Sequence, residues 1–200
     1  MGRPRTHDRA LRAKLLATAQ ETLSARGVAG LSLRTLAREC GTSTTAVYSL
    51  FGGKRGLLTA VFDDAFARLG RRLAGVEPGA DAVEDLVRLA DAYRRGALAE
   101  PHLFAVMFGG ETVLPRAAEA RTAAGTALGP LREFVARAVE QRALRPDTDP
   151  EAASVTLWAT VHGWVTLQLR GFLPPGADTL FENALRAVLD GWRATPAPAC

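Results

Sequence analysis

Thr44, Thr45, Tyr48 and Ser49 fall within six residues of one another, and at helical spacing they share one face. Val47 and Phe51, four apart, turn the opposite face inward. Hydroxyl groups make single hydrogen bonds, and a threonine methyl can rest on the methyl group of thymine. The chemistry these residues suit is therefore noncovalent contact with phosphates and base edges. Catalysis finds far less support. The three histidines, two cysteines and scattered carboxylates form no GxSxG, no HExxH, no phosphate-cradling glycine loop and no local Cys-His pairing. No catalytic residue, metal-ligand set or cofactor is expected.

Two short helices must hold that polar face. Ser32 can cap the first by accepting from a free backbone N–H two or three residues on, with Leu33, Leu36 and Ala37 recurring behind it. Gly41 stops this helix, and Ser43 caps the next. A helix, a glycine turn and a second helix with an open polar face make a helix-turn-helix, whose second helix can lie in the major groove of DNA. The order A-G-L-S-L-R-T-L-A-x-x-x-G-x-S-x-x-x-V-Y-x-x-F-x-x-K over residues 29–54 resembles the DNA-binding domain of the TetR family of bacterial repressors.

That resemblance implies a ligand-responsive repressor that binds a palindromic double-stranded DNA operator as a homodimer and is released by a small-molecule effector of unknown identity. It places Ser32, Arg34, Ser43, Thr44, Thr45, Ala46, Tyr48, Ser49 and Lys54 at the DNA, with Tyr48 and Lys54 facing phosphates. One departure stands out. Leu50 occupies a position where many relatives carry histidine, and the short side chains of Thr44, Thr45, Ala46 and Ser49 cannot make the two-pronged bonds by which Arg reads guanine or Asn reads adenine. Arg34 is the one long donor placed to reach a guanine.

Charge agrees with a nucleic-acid partner. The net charge is +4, but residues 1–60 hold ten Lys/Arg against three Asp/Glu, and residues 61–200 hold fifteen against eighteen. A basic end beside a mildly acidic body holds a polyanion at one place only. Arg3 and Arg5 extend the basic end in a Gly/Pro-containing arm that can follow a phosphate backbone or enter a minor groove. Cys40 and Cys200 give no disulfide framework, which suits a reducing cytoplasm. No secretory signal is apparent, and the most apolar stretch, residues 152–169, is interrupted by Ser154, Thr156, His162 and Gln168, so no membrane association is expected.

Helical periodicity continues to the end of the chain, and no strand pattern or repeat appears. The expected fold is all-α: a three-helix DNA-binding domain over residues 1–56 and a helical effector-binding and dimerisation domain over residues 57–195. Its helices are expected at residues 8–25, 54–74, 82–99, 101–108, 115–141, 150–171 and 177–193. The helix over residues 115–141 should kink or split near Gly129 and Pro130. The 150–171 helix is apolar almost all round, so it must be covered on two sides. Its small residues Val155, Ala159 and Gly163 let another helix approach closely, and with Leu185, Leu189 and Trp192 of the last helix they suggest a dimer seam.

W-A-T-V-H-G at residues 158–163 and P-H-L-F-A-V-M-F-G-G at residues 101–110 resemble a C-terminal ligand-binding type within the family, named for its Trp-His-Gly motif. Phe104, Met107, Phe108, Trp158 and His162 are the candidates to line an effector pocket. The competing function is a helical small-molecule-binding protein or enzyme without operator binding. A gel shift with DNA from the upstream region separates the two.

Overall fold

The computed structural model describes residues 5–108 and 117–194, with only the backbone described at 5–7 and 117–121. The described residues form helices throughout: α1 (Arg5–Gly30), α2 (Leu33–Glu39), α3 (Thr44–Phe51), α4 (Lys54–Ala74), α5 (Ala82–Ala99), α6 (Pro101–Phe108), α7 (Ala117–Ala127), α8 (Gly129–Glu140), α9 (Pro150–Leu169) and α10 (Ala177–Asp190). Among these residues the β pairing is confined to one isolated bridge, Leu144 with Arg193. The all-α expectation holds.

Most boundaries follow from the sequence signals. Gly27 breaks α1 where its periodicity ends, and the chain resumes as a short helical segment to Gly30. The expected break near Pro130 is a full split: Leu128 leaves helical geometry, and Pro130 occupies the first turn of α8, where its missing N–H costs nothing. Arg5 differs from expectation. It opens α1 instead of lying in an arm before it, and Asp8 in that first turn complements the positive end of the helix dipole. Arg3 lies outside the described residues.

The helices sort into two compact units, residues 1–68 with 100–124 and residues 69–99 with 125–200. In the first, α1 packs on α2 and α6, and α2 on α3. Its core gathers Leu15, Leu16, Leu36, Val47, Phe51 and Leu57. Placement of α6 in this unit was not visible in the sequence. In the second unit α5, α8 and α9 pack on one another, and α10 packs on α5 and α9. Helix α4 contributes residues to both units.

Candidate nucleic-acid interface and cavity

Helices α2 and α3 are each capped at the start by a serine side chain. Ser32 Oγ accepts from the Thr35 N–H at 3.4 Å, and Ser43 Oγ accepts from the Ala46 N–H at 3.2 Å. Gly41 between them has φ 70°, a conformation that glycine takes without steric cost. The Thr42 N–H donates to the Ala37 carbonyl at 2.8 Å and closes the turn. At the far end of α3, Gly52 in the left-handed region donates its N–H to the Tyr48 carbonyl at 2.8 Å.

These bonds set the register of α3, and the register sets its two faces. Val47 and Phe51 are buried, while Thr44, Thr45, Tyr48 and Ser49 are exposed and Ala46 is half-buried. Tyr48 is 58% exposed, its ring lying close enough to Gly53 that a Cβ there would stand 3.3 Å from Cε1. Arg34 is exposed in the first turn of α2. Leu50 packs inward against the core, so the residue that replaces histidine belongs to the buried side. The result is an uncharged hydroxyl surface, with Arg34 exposed at the start of the neighbouring helix. Single hydrogen bonds and methyl contacts are what such a surface can make.

Lys54 stands at the start of α4, and its Nζ donates to the Val28 carbonyl at 2.8 Å. The expected phosphate ligand is thus fastened inward through at least one of its three donors. Lys14 does the same for α2, its Nζ donating to the Cys40 carbonyl at 3.1 Å. The two lysines of the chain both close helix C-terminal ends, where a cation also meets the negative pole of the helix. Gly56 follows in the first turn of α4, where a Cβ would come within 1.8 Å of the Phe51 carbonyl oxygen. No side chain fits there unless the α3–α4 junction moves. Sequence periodicity gave no sign of this contact.

Of the five expected pocket residues, three belong to the first unit and two to the second. Phe104 and Phe108 stack with ring centroids 5.0 Å apart, and Phe108 meets Phe66 at 5.6 Å. They and the half-buried Met107 belong to the first unit, because α6 packs on α1. Trp158 and His162 lie on α9 in the second unit.

A cavity in that second unit has about 20 Å³ of room, enough for little more than one water molecule. Trp158 lines it, together with Tyr93 and leucines of α4, α5, α8 and α9; Phe104, Met107, Phe108 and His162 are not among its lining residues. Trp158 Nε1 donates to Tyr93 Oη at 3.4 Å, and Tyr93 Oη stands 3.1 Å from His162 Nδ1. Since an indole N–H can only donate, the phenol accepts from Trp158, while the direction of its bond with His162 follows the imidazole tautomer. Burial pushes the Tyr93 hydroxyl up to about 12 and holds His162 below its ordinary value of 6.5. Both groups are neutral at physiological pH. Tyr93, the hub of this network, is not among the pocket residues expected from the sequence.

Two further polar clusters escaped the sequence altogether. Asp85, 0% exposed, accepts from the Gly79 N–H at 3.0 and 2.9 Å and pairs with Arg88 and Arg137. Burial pushes its carboxyl up, but Gly79, Arg137 and Arg88 outweigh burial and hold it below its ordinary value. Arg94, also buried, donates to Gln168 Oε1 at 2.9 Å, pairs with Asp178 and lies 5.0 Å over the Phe181 ring. These clusters cross-link α5 to α8, α9 and α10.

The proposed seam residues separate likewise. Val155 and Ala159 are exposed, Gly163 is half-buried with open space where a Cβ would stand, and Leu167 extends the same stripe at 44% exposed. Leu185 and Leu189 point the other way. At 1% and 0% exposed they fill the core of the second unit and cannot face a partner, because α10 turns its leucine stripe toward α5 and α9. Trp192 is half-buried. Leu180 and Phe172, at 45% and 71%, are the large apolar side chains exposed beyond α9.

Comparison with known proteins places both units. Residues 15–61 match the family described as bacterial regulatory proteins, tetR family, and residues 86–188 match the family described as Tetracyclin repressor-like, C-terminal domain. An HTH-type transcriptional regulator of Mycobacterium bovis is 28% identical over 91% of this chain and 89% of its own length. A solved protein of unknown function from Rhodococcus sp. RHA1 is 32% identical, covers 92% of this chain and 95% of its own, and superimposes with a TM-score of 0.80. A TetR family transcription regulator from Marinobacter aquaeolei, 20% identical and covering 96% of this chain and 100% of its own, shares the fold with a TM-score of 0.72.

Proposed function

We propose that this chain, which belongs to the TetR family of bacterial regulatory proteins and is a DNA-binding transcriptional regulator, acts as a homodimeric repressor that a small effector releases from a palindromic operator. The observation that carries the DNA half of this reading is the exposed hydroxyl face of α3, fixed in register by the Ser32 and Ser43 caps at the basic end of the chain. Thr44, Thr45, Ala46 and Ser49 meet base edges, Arg34 reads one guanine, and Tyr48, Lys54 and the arginines at positions 3 and 5 hold phosphate or the groove beside it. Residues 1–56 are the DNA-binding domain and residues 57–195 the effector and dimerisation domain. A DNA partner puts the protein in the cytoplasm.

The stripe of exposed Val155, Ala159 and Leu167 with half-buried Gly163 between them supports the dimer, since contiguous apolar surface of this kind marks an interaction site. Two reading heads must then sit about 34 to 36 Å apart to meet successive major grooves. An effector that fits one arrangement of the second unit better shifts the population of dimers with that spacing by its differential affinity. The Trp158–Gly163 patch supports the Trp-His-Gly type for the C-terminal domain.

A gel shift with DNA from the protein's own upstream region, run alongside sedimentation, tests the reading. Wild type should shift that DNA as a dimer, and Gly163→Asp should give monomers that no longer shift it. A wild-type protein that binds no upstream DNA would favour a small-molecule-binding protein without an operator.

A further inference from the structure

Arg12 is set apart from the other exposed arginines of the first unit by what holds it. It lies on α1 in contact with solvent, and its guanidinium carbon stands 5.4 Å from the centroid of the Phe51 ring. Phe51 is the last residue of α3 and is buried. A guanidinium over an aromatic ring is attracted by the π system, and that contact takes none of its N–H donors. Among the described residues Arg12 has no carboxylate, carbonyl or hydroxyl partner, and Asp8, one turn earlier on α1, makes no ion pair with it. Arg9, Arg26, Arg38 and Arg55 are also exposed and without a polar partner among the described residues, but none of them is held against a ring of α3.

The place of this guanidinium matters as much as its freedom. Tyr48 comes one turn before Phe51 and Lys54 three residues after it, so Arg12 stands at the end of α3 where phosphate contact is expected. Lys54 has given one bond to the Val28 carbonyl, whereas Arg12 keeps its whole fork. Two parallel N–H groups of an arginine match two oxygens of a phosphodiester. Helix α1 is itself fastened to the end of α2 by the Lys14 bond to the Cys40 carbonyl, which fixes a cation on α1 relative to the helix pair that reads DNA. A long side chain already held over a ring also has less rotamer freedom left to lose on binding.

We propose that Arg12 grips a phosphate of the DNA duplex beside those met by Tyr48 and Lys54, with Phe51 as the platform that holds its guanidinium in place. The proposal rests on the DNA-binding reading of α3 and adds α1 to the surfaces that touch the backbone. Such a contact carries no sequence information, so Arg12 sets affinity and its dependence on salt, not the choice of operator.

The test titrates the full-length chain, by fluorescence anisotropy over a range of sodium chloride concentrations, against a labelled random-sequence duplex of about 30 base pairs and against DNA from its own upstream region. Arg12→Met keeps an apolar chain on Phe51 and removes the charge. It should flatten the plot of log affinity against log salt by about 0.9 for each protomer on the duplex, equally for both DNAs. Arg12→Lys keeps the charge and should keep the slope. Arg170→Met removes an exposed charge from the second unit and should leave the slope as in wild type. An unchanged slope in Arg12→Met would show that Arg12 only shields Phe51, whatever the variant does to the denaturation midpoint, and would overturn the proposal. So would an equal fall in Arg12→Lys, which would trace the effect to a disturbed Phe51, or in Arg170→Met, which would trace it to net charge alone. A fall confined to the upstream DNA would make Arg12 a reader of sequence and overturn it as well. If wild type binds neither duplex, the DNA-binding reading itself fails and the proposal with it.

Discussion

In the unit built on α1, α2 and α3 the lysines reach to carbonyls at helix ends, whereas in the unit built on α5, α8, α9 and α10 the arginines are gripped by carboxylates. Lys14 and Lys54 tie together segments whose apolar core is already made, and they leave the polar face of α3 uncovered. Asp85 and Arg94 instead sit inside the packing, each buried and each joined to residues at least fifty positions away in the chain. The first arrangement keeps a surface rigid while presenting it. The second spends its polar groups on joining helices.

The largest expected effect tests that contrast at Asp85. Replacing it with Ala leaves the Gly79 N–H without its acceptor and two arginines without their counter-ion. A broken buried pair costs about 3 to 5 kcal/mol, and since Arg88 and Arg137 retain some contact with water we expect about 2 to 4 kcal/mol in chemical denaturation. The pH dependence follows in sign. A carboxyl held below its ordinary value of 3.8 contributes stability that is present above that value and is lost as the pH falls through the folded one. His162, also depressed in the fold, contributes in full above 6.5 and loses that contribution as the pH falls below it. Wild type should therefore lose stability in two acid steps, with Asp85→Asn removing the lower and His162→Gln the upper. A single step unchanged in both variants would mean that neither group is coupled to folding.

How much of this was legible in the sequence follows the same division. Ser32, Gly41, Ser43, Val47 and Phe51 lie within twenty residues, so local spacing was enough to place the turn, the caps and the two faces of α3. Helix boundaries were equally local, down to the split before Pro130. Asp85 to Arg137 and Arg94 to Asp178 are pairings between distant helices, and no periodicity within a helix announces them. Leu185 and Leu189 were misassigned to the dimer seam for that reason: a leucine stripe shows that a helix has a buried side but not whether the same chain or a partner covers it. That α6, with Phe104, Met107 and Phe108, packs on α1 is likewise a pairing between helices that the sequence does not announce.

Next in size is Arg34, exposed in the first unit. Arg34→Ala should cost about 1 to 3 kcal/mol on the cognate operator and relax one required G·C position, with thymine still preferred beside it for its methyl group. A base-by-base binding scan of wild type and variant decides it. Equal loss at every sequence would place Arg34 on phosphate and leave specificity to DNA shape.

Lys54 comes third, because its bond to Val28 divides two roles that the sequence merged. Should the ammonium also reach phosphate, Lys54→Ala should weaken all DNA alike and lower the salt slope by about one. Should it serve only as the fastening of α1, the variant should lose about 1 kcal/mol of stability with the salt slope intact. Titrations at several salt concentrations, paired with a denaturation curve, separate the two.

The smallest effect is expected at Asp178, and it tests whether burial or mere pairing gives the carboxylates of the second unit their importance. Asp178 pairs with Arg94 as Asp85 pairs with Arg137, yet its side chain is 81% exposed where that of Asp85 is 0%. Water can take over from an exposed carboxylate, and Arg94 keeps Gln168 and the face of Phe181 when Asp178 is gone. Exposed pairs are worth about 0 to 1 kcal/mol, so Asp178→Asn should cost no more than that, and the cost should shrink further in high salt. A loss equal to that of Asp85→Ala would show that Arg94 depends on this one partner. The hold on α10 would then lie in the ion pair, not in the leucines Leu185 and Leu189 that fill the core beneath it.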